Sequence, residues 1–482
     1  MASDHYDVLI IGAGLSGVGM ACRLAMACPG KRVGILERRR SMGGTWDLFR
    51  YPGVRSDSDM FTFGFGFRPW NELKVLADGP AILKYIHDTA RAWSIERLVR
   101  FGMRTTHASW SSESSQWTVT ARDEDDVEHR FTTDFLVGCT GYYAYEQGYV
   151  PDYPGRERFQ GQFVHPQHWP ADMSWEGKRV VVIGSGATAI TLVPALAREA
   201  AHVTMLQRSP GYVLSVPSRD AISSLLLHVL PERTVYRWAR GRNIALQRLL
   251  YRAAMRWPRR MRSLLLAGVR HRLDGAASLA DFSPSYAPWT QRLCVVPDND
   301  LFDALRAGKA SVWTDTVASF TPTGLQLTSG ATLDADIVVS ATGFQLQVLG
   351  GMTLDVDGEP REPGKLLTYK GVLLDGIPNA AVLFGYINAS WTLKVDLAAQ
   401  YVCRLLAWME ARGVRAVAPK SPPGEATESC IMDALRAGYV MRGESQLPRQ
   451  GRGRPWQVTH RYEIDRQVLL EEPIDDPVLE TR

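Results

Sequence analysis

The chain has 482 residues, 45% of them hydrophobic and 22% charged. That is enough apolar material for roughly two to four folded domains, and it excludes a disordered chain. A net charge of +4 also argues against a uniformly basic nucleic-acid binder. The charge is unevenly spread, however. Between Pro231 and Asp274 twelve arginines face only Glu232 and Asp274, a local balance of +10 that leaves the rest near −6. The six cysteines, at 22, 28, 139, 294, 403 and 430, show no C-x-x-C spacing and no dense framework, as expected in a reducing compartment. "MASDHYDVLIIGAG" enters a strand with no charged-then-apolar leader, and no run of 18 apolar residues follows. The expected location is the cytoplasm.

In chain order, the first element is the continuously apolar run Val8 to Ile11, a parallel strand buried on both faces. Gly12, Gly14 and Gly17 follow as G-x-G-x-x-G: a tight turn, an open approach for a pyrophosphate, and a close helix contact. The phosphates would sit on the N-terminus of the next helix. Glu37 closes the second strand, "RVGILE", twenty residues after Gly17, placed to accept from a ribose. Cys22 and Cys28 fall in the intervening helix with five residues between them, so no redox-active disulfide is expected. Residues 107–137 alternate apolar and polar around acidic turns and predict an antiparallel meander. "DFLVGCTGYY" then ends an apolar strand in T-G.

A linker, "FQGQFVHPQHWP", precedes a second unit. Its histidines, His165 and His168, have no nearby Cys, Asp or Glu and make a poor metal site, so no metal is expected. His165 reads better as a hydrogen-bonded residue tying two domains together. The second unit has Gly184, Gly186 and Ala189 as G-x-G-x-x-A, with Thr188 in the turn, after the strand Arg179 to Ile183. Here the second strand ends in Gln207, Arg208 and Ser209 instead of an acid. A guanidinium and a hydroxyl bind a 2′-phosphate that a carboxylate would repel; a solvated surface arginine is the less favoured reading of Arg208. The first unit therefore reads as an FAD site and the second as an NADPH site. Within the second half, the 231–274 segment places Leu246, Leu249, Leu250 and Ala253 at helical spacing among Arg242, Arg248, Arg252, Arg256 and Arg259. The favoured reading is a helical insertion packed on the NADPH domain; contact with an anionic membrane surface is the alternative. "ADIVVSATGF", whose Thr342 and Gly343 are expected to bind a cofactor, repeats the earlier T-G strand, as expected where an interrupted FAD domain resumes. From "PKSPPGEATESC" onward the chain is rich in proline and charge and is expected to wrap the surface.

The expected architecture is α/β, with two Rossmann-like dinucleotide-binding domains. Residues 1–150 form the first part of a discontinuous FAD domain, 151–178 a linker, and 179–330 the NADPH domain, with a helical insertion at about 215–285. Residues 331–482 complete the FAD domain and carry the C-terminal segment.

Phe159, Gly161, His165, Trp169 and Pro170 reproduce F-x-G-x-x-x-H-x-x-x-W followed by Pro, and so resemble the fingerprint of type I Baeyer-Villiger monooxygenases. Together with "SMGGTWDLFRYPGVRSDSDM", "WTQRLCVVPDNDLF" and "GYINASWTLKVDL", the whole chain resembles the ethionamide-activating branch of that family. The resemblance implies FAD, NADPH and O2 as reactants, ketones, sulfides or thioamides as substrates, and esters, lactones or S-oxides as products. It places Arg292 in the catalytic position, as a permanent cation beside the flavin's oxygen adduct. Asp57 falls near the flavin, where it would orient Arg292 and the nicotinamide; a capping or turn aspartate between Ser56 and Ser58 is the competing reading. Gly44, Thr45 and Trp46 would lie beside the flavin, and Trp391 is a candidate for the substrate or nicotinamide pocket. One departure is Gln291, where many members carry a lysine for the 2′-phosphate, which puts more weight on Arg208 and Ser209. The competing activity is N- or S-oxidation without ketone chemistry.

Overall fold

In the computed structural model, residues 4–482 are described. Two parallel β systems carry the two glycine turns. In the first, Asp4–Ile11 lies between Val33–Leu36 and Glu128–Gly138, parallel to both. Val8, Leu9 and Ile10 are fully buried, which is why this strand alternates so little. The meander forms from Arg104–Ser111, Gln116–Arg122 and Glu128–Gly138. Its last strand is long enough to leave the antiparallel hairpin and continue beside Asp4–Ile11, so one segment joins both arrangements. Thr353–Val356 and Ala380–Val382 return to this same sheet, the latter parallel to Glu128–Gly138.

The second sheet is five-stranded and parallel throughout, in the order Ala310–Thr314, His202–Gln207, Arg179–Ile183, Ile337–Ser340, Gln162–Val164. Two segments sit differently from the expected division. Gln162–Val164, within the expected linker, is an edge strand of this sheet. Ile337–Ser340, expected with the resumed FAD half, lies inside the sheet between Arg179–Ile183 and Gln162–Val164. An apolar strand such as "IVVS" needs a partner on each edge, and the second sheet supplies both.

The basic segment folds as two helices, Glu232–Arg256 and Pro258–Leu273, preceded by the short helix Ala221–Leu226. The second long helix starts on Pro258, a residue that suits the first helical turn, and buries Val269 and Leu273 against the second-sheet core. The first packs elsewhere. Tyr236 and Ala239 bury against Phe61, in the helical turn Met60–Phe63, so the insertion leans on the N-terminal part of the chain as well as on the second-sheet core.

The C-terminal segment does more than wrap the surface. Cys430, Leu447, Trp456 and Leu469 are buried in the two cores of the first half. Its prolines and charges sit between apolar anchors that join cores built by distant parts of the chain, so local composition hides them.

Candidate functional site

A cleft of about 1800 Å³, open solvent at its mouth included, runs from the first glycine turn to the start of helix Ala187–Leu196. Its floor is Gly12, Gly14, Leu15 and Ser16 at the start of helix Leu15–Ala27. No acidic residue stands in that helix's first turn, so its free N–H groups keep their pull on an anion. Gly12 has a φ of +102°, and a Cβ there would lie 2.7 Å from the Cys139 carbonyl oxygen. A Cβ on Gly14 would reach to 3.5 Å from Gly44 Cα, filling the gap that a pyrophosphate needs. Gly17 lies behind the turn, where any side chain would run into the Gly12 carbonyl.

Glu37 lines the same cleft and is 3% exposed. Its Oε2 accepts from the Ala13 amide at 2.7 Å and its Oε1 from the Arg39 amide at 2.9 Å. Burial raises its carboxyl above the ordinary value, an effect opposed by those two amides. Gly44, Thr45 and Trp46 lie opposite, with Trp46 edge-on to Phe63. These features fit an FAD: a cradle kept free of side chains, a helix N-terminus for its phosphates and a carboxylate for its ribose.

Arg292 and Asp57, 235 positions apart, meet in the cleft wall, where Arg292 Nη1 donates to Asp57 Oδ2 at 2.8 Å. Capping of Met60–Phe63 falls to Asp59, which accepts from the Thr62 amide, leaving Asp57 to the ion pair. Arg292 leads into strand Cys294–Pro297, which is paired with Val213–Val216. The preceding Thr290 carbonyl accepts from the Arg436 amide at 3.1 Å, so the C-terminal segment helps fix it. Asp57 pushes the guanidinium's basicity still higher, outweighing the opposing effect of burial. The 38% of its side chain that remains open belongs to a residue lining the cleft. Trp391 also lines the cleft, its indole N–H donating to Ser16 Oγ at 2.9 Å and its ring 5.2 Å from that of Tyr142.

The second turn is placed differently. Thr188 reaches the cleft, but Gly184, Gly186 and Ala189 do not line it. Gly186 precedes helix Ala187–Leu196, whose first turn again has no acid, and a Cβ on Gly186 would meet nothing within 4 Å. Gln207 is buried, its amide donating to the Asp281 carbonyl and Thr314 Oγ1, and Arg208 follows on the surface. The Ser209 carbonyl accepts from Ser185 Oγ at 3.0 Å. An open turn with an exposed guanidinium at the strand end fits the phosphates of NADPH.

The linker fingerprint lies outside the cleft. His165 Nδ1 accepts from the Gln167 amide at 3.2 Å, which puts the proton on Nε2, 3.1 Å from the Gly343 carbonyl it donates to. Burial keeps the ring neutral by lowering its pKa. Its neighbour Gly148 has no room for a side chain because the imidazole fills that place. Phe159 packs on Phe320, Gly161 is closed in by Phe159 and the Asp336 carbonyl, and Trp169 stands edge-on to Trp175, followed by Pro170. His168 turns instead to the Glu146 carbonyl. Thr342 donates to the Tyr149 carbonyl at 2.7 Å beside Gly343, which has a φ of +105°.

Comparison with known proteins supplies the family. A family model described as flavin-binding monooxygenase-like matches residues 67–239, and one described as an NAD(P)-binding Rossmann-like domain matches 10–78. The FAD-containing monooxygenase MymA of Mycobacterium tuberculosis is 53% identical over 482 residues, covering 99% of this chain and 97% of its own. The chain belongs to the FAD-containing monooxygenases. Another relative, EthA of Mycobacterium tuberculosis, is 48% identical over 98% of this chain and 97% of its own. An oxidized steroid monooxygenase bound to NADP shares the fold, with a TM-score of 0.74 at 23% identity, over 96% of this chain and 97% of that one.

In this monooxygenase several residues near the site carry no motif of their own. Tyr142 and Tyr143 line the cleft with Arg292, and they and Tyr439 are near enough for their charges to interact with the guanidinium; burial pushes all three hydroxyls up. Arg442 lays its guanidinium 3.5 Å over the Tyr149 ring, beside Gly343 and close enough to Arg208 for the two positive charges to oppose each other. Tyr439 and Arg442 share the helical turn Gly438–Gly443. The only sequence signal was aromatic and basic residues in an otherwise polar tail.

Proposed function

We propose that this monooxygenase uses NADPH and O2 to insert one oxygen atom into ketones, giving esters or lactones, and also oxidises sulfides or thioamides to S-oxides. The second oxygen atom leaves as water, with NADPH supplying the two electrons. When bound, FAD supplies the hydride acceptance and oxygen activation for which no side chain is equipped. In this reading Gly12, Gly14, Glu37, Gly44, Thr45 and Trp46 hold FAD, and Gly184, Gly186, Thr188, Ala189, Arg208 and Ser209 hold NADPH. Thr342 and Gly343 fix the crossing beneath the second turn.

The single observation that carries the reading is Arg292 held in the cleft wall by Asp57. A guanidinium keeps its charge at every working pH. Negative charge develops on a carbonyl oxygen as it is attacked, and a cation already aimed at that place lowers the barrier without reorganising. Asp57 fixes that aim and offers its remaining lone pairs to the nicotinamide amide. Tyr142, Tyr143 and Tyr439 stand near enough to act on the Arg292 charge, while its open side faces the cleft where a substrate would bind. Arg442 adds a second cation near Arg208 on the NADPH side, in a chain where Gln291 replaces the family's lysine.

The test is a panel of linear, cyclic and aryl ketones and thioethers, with products identified by mass, run on the wild type and on Arg292→Ala. Esters or lactones from the wild type but not from the variant are expected. Sulfoxides with no ester from any ketone would replace this reading with N- or S-oxidation.

A further inference from the structure

Sixteen large apolar side chains are exposed among the described residues, and eleven of them lie between Ile222 and Leu264, within the helical insertion and its flanks. Chance scatter does not place two-thirds of such residues in one short segment, and concentrated exposed apolar side chains mark interaction sites. Leu225, Val229, Leu246, Leu249, Trp257 and Leu264 are each at least half exposed. In helix Glu232–Arg256 the stripe that buries Val235 and Ala239 continues at helical spacing into Leu246, Leu249 and Leu250, where protein no longer covers it.

The charges in this segment are also unusual. Arg242 pairs with Asp220, and Arg248 and Arg252 share Glu463. Arg256, Arg259 and Arg260 crowd the junction of the two long helices around Trp257, all exposed and with no acidic partner or guanidinium hydrogen bond among the described residues. Arg233 and Arg237 are exposed in the same way.

We propose that this insertion docks on an anionic lipid surface, burying its leucines and tryptophans at the headgroup boundary while the unpaired arginines meet lipid phosphates. An interfacial helix needs this combination of apolar face, interfacial tryptophan and surplus arginine. A second copy fits less well, because the same face of a partner would bring a like surplus of positive charge and no acid for the unpaired arginines. Nucleic acid does not account for leucines exposed between the arginines. No described helix is long and apolar enough to cross a membrane, so the contact is with the surface. The insertion is also fastened to the cleft: Arg240 donates to the carbonyls of Phe61 at 2.9 Å and Thr62 at 3.2 Å, and Asn243 to Asp59 at 2.9 Å. Phe63, two residues on from Phe61, lines the cleft. Docking would therefore hold the cleft beside the source of lipophilic substrates.

The test is co-sedimentation of the FAD-loaded full chain with phosphatidylcholine vesicles and with vesicles containing phosphatidylglycerol, at low and high salt. The proposal expects binding to the anionic vesicles only, weakened by salt. Arg256→Gln, Arg259→Gln and Arg260→Gln combined should weaken it by about a hundredfold. Leu246→Ser, Leu249→Ser and Leu250→Ser combined should abolish it. Both variants should oxidise NADPH with a soluble substrate at the wild-type rate, which shows that they fold. Absence of binding, equal binding to neutral vesicles, or dimerisation lost on the leucine substitutions would each overturn it, the last in favour of a second copy. The oxygen-transfer reading is untouched by any of these outcomes, since its assay uses soluble substrates.

Discussion

Gly12 and Gly184 occupy the same place in their two units. Each has a positive φ, +102° and +141°, and each backs onto the carbonyl of the residue before a T-G pair, Cys139 in one and Ala341 in the other. The next positions diverge. Gly14 faces Gly44 across a gap that one methyl group would fill, whereas Gly186 faces open space. Gly17 admits no side chain, but Ala189 carries a buried one. The first strand pair ends in the enclosed Glu37, and the second in an exposed arginine. One consensus thus builds a closed floor, suited to a group that stays, and an open one, suited to a coenzyme that exchanges each turnover.

The largest expected effect falls on neither turn but on the cation between them. Arg292→Ala should cut ester formation by about 10²- to 10³-fold, the cost of removing one preorganised donor from a developing oxyanion. Product formed per NADPH consumed, measured by mass, separates this from a loss of coenzyme binding. Gly14→Ala should come next. Its backbone conformation suits any residue, so the fold survives while the flavin-to-protein absorbance ratio collapses after gel filtration. Gly186→Ala should keep its flavin and affect only the KM for NADPH. If both variants lose flavin equally, the contrast between closed and open floors is wrong.

Arg208→Ala sharpens the comparison on the NADPH side. Losing a charge-assisted bond of about 1.5–3 kcal/mol should raise the KM for NADPH by about 10- to 100-fold, with little change for NADH. Arg442→Ala should do the same to a smaller extent, because its guanidinium lies over the Tyr149 ring. Equal effects on the two coenzymes would return Arg208 to the status of a solvated surface residue.

What the sequence made legible follows from where the information sits. The glycine turns, the meander and the T-G strands are local patterns, in which a few adjacent residues fix the turn, the period and the burial. Asp57 and Arg292 are 235 positions apart, and only the resemblance paired them; the 2.8 Å contact is a property of the folded chain. Tyr439 and Arg442 could not be read at all, since their value depends on a tail that returns to Thr290 and Tyr149. Strand Ile337–Ser340 was legible as a strand, but its sheet was not: a four-residue apolar run carries no record of which edges it joins.

The smallest effect concerns acid stability and compares the linker with the tail. His165 in the fingerprint and His460 in the C-terminal segment are both held neutral by burial, with pKa values lowered from 6.5. The unfolded chain takes up protons at these residues as pH falls through about 6.5, while the folded chain does not. Their contribution is therefore complete above that pH and is lost below it, by at most about 1.4 kcal/mol per residue per pH unit. Glu37 works in the opposite sense: burial raises its carboxyl from 4.5, so it adds stability as pH falls through that raised value. The histidine part is read by difference, from the slope of Tm against pH between 7 and 5.5 in the wild type, His165→Gln and His460→Gln. Each variant should flatten the slope. An unchanged slope for His165→Gln alone would mean that the bond to Gly343 holds the linker in place equally well whether or not the ring is protonated.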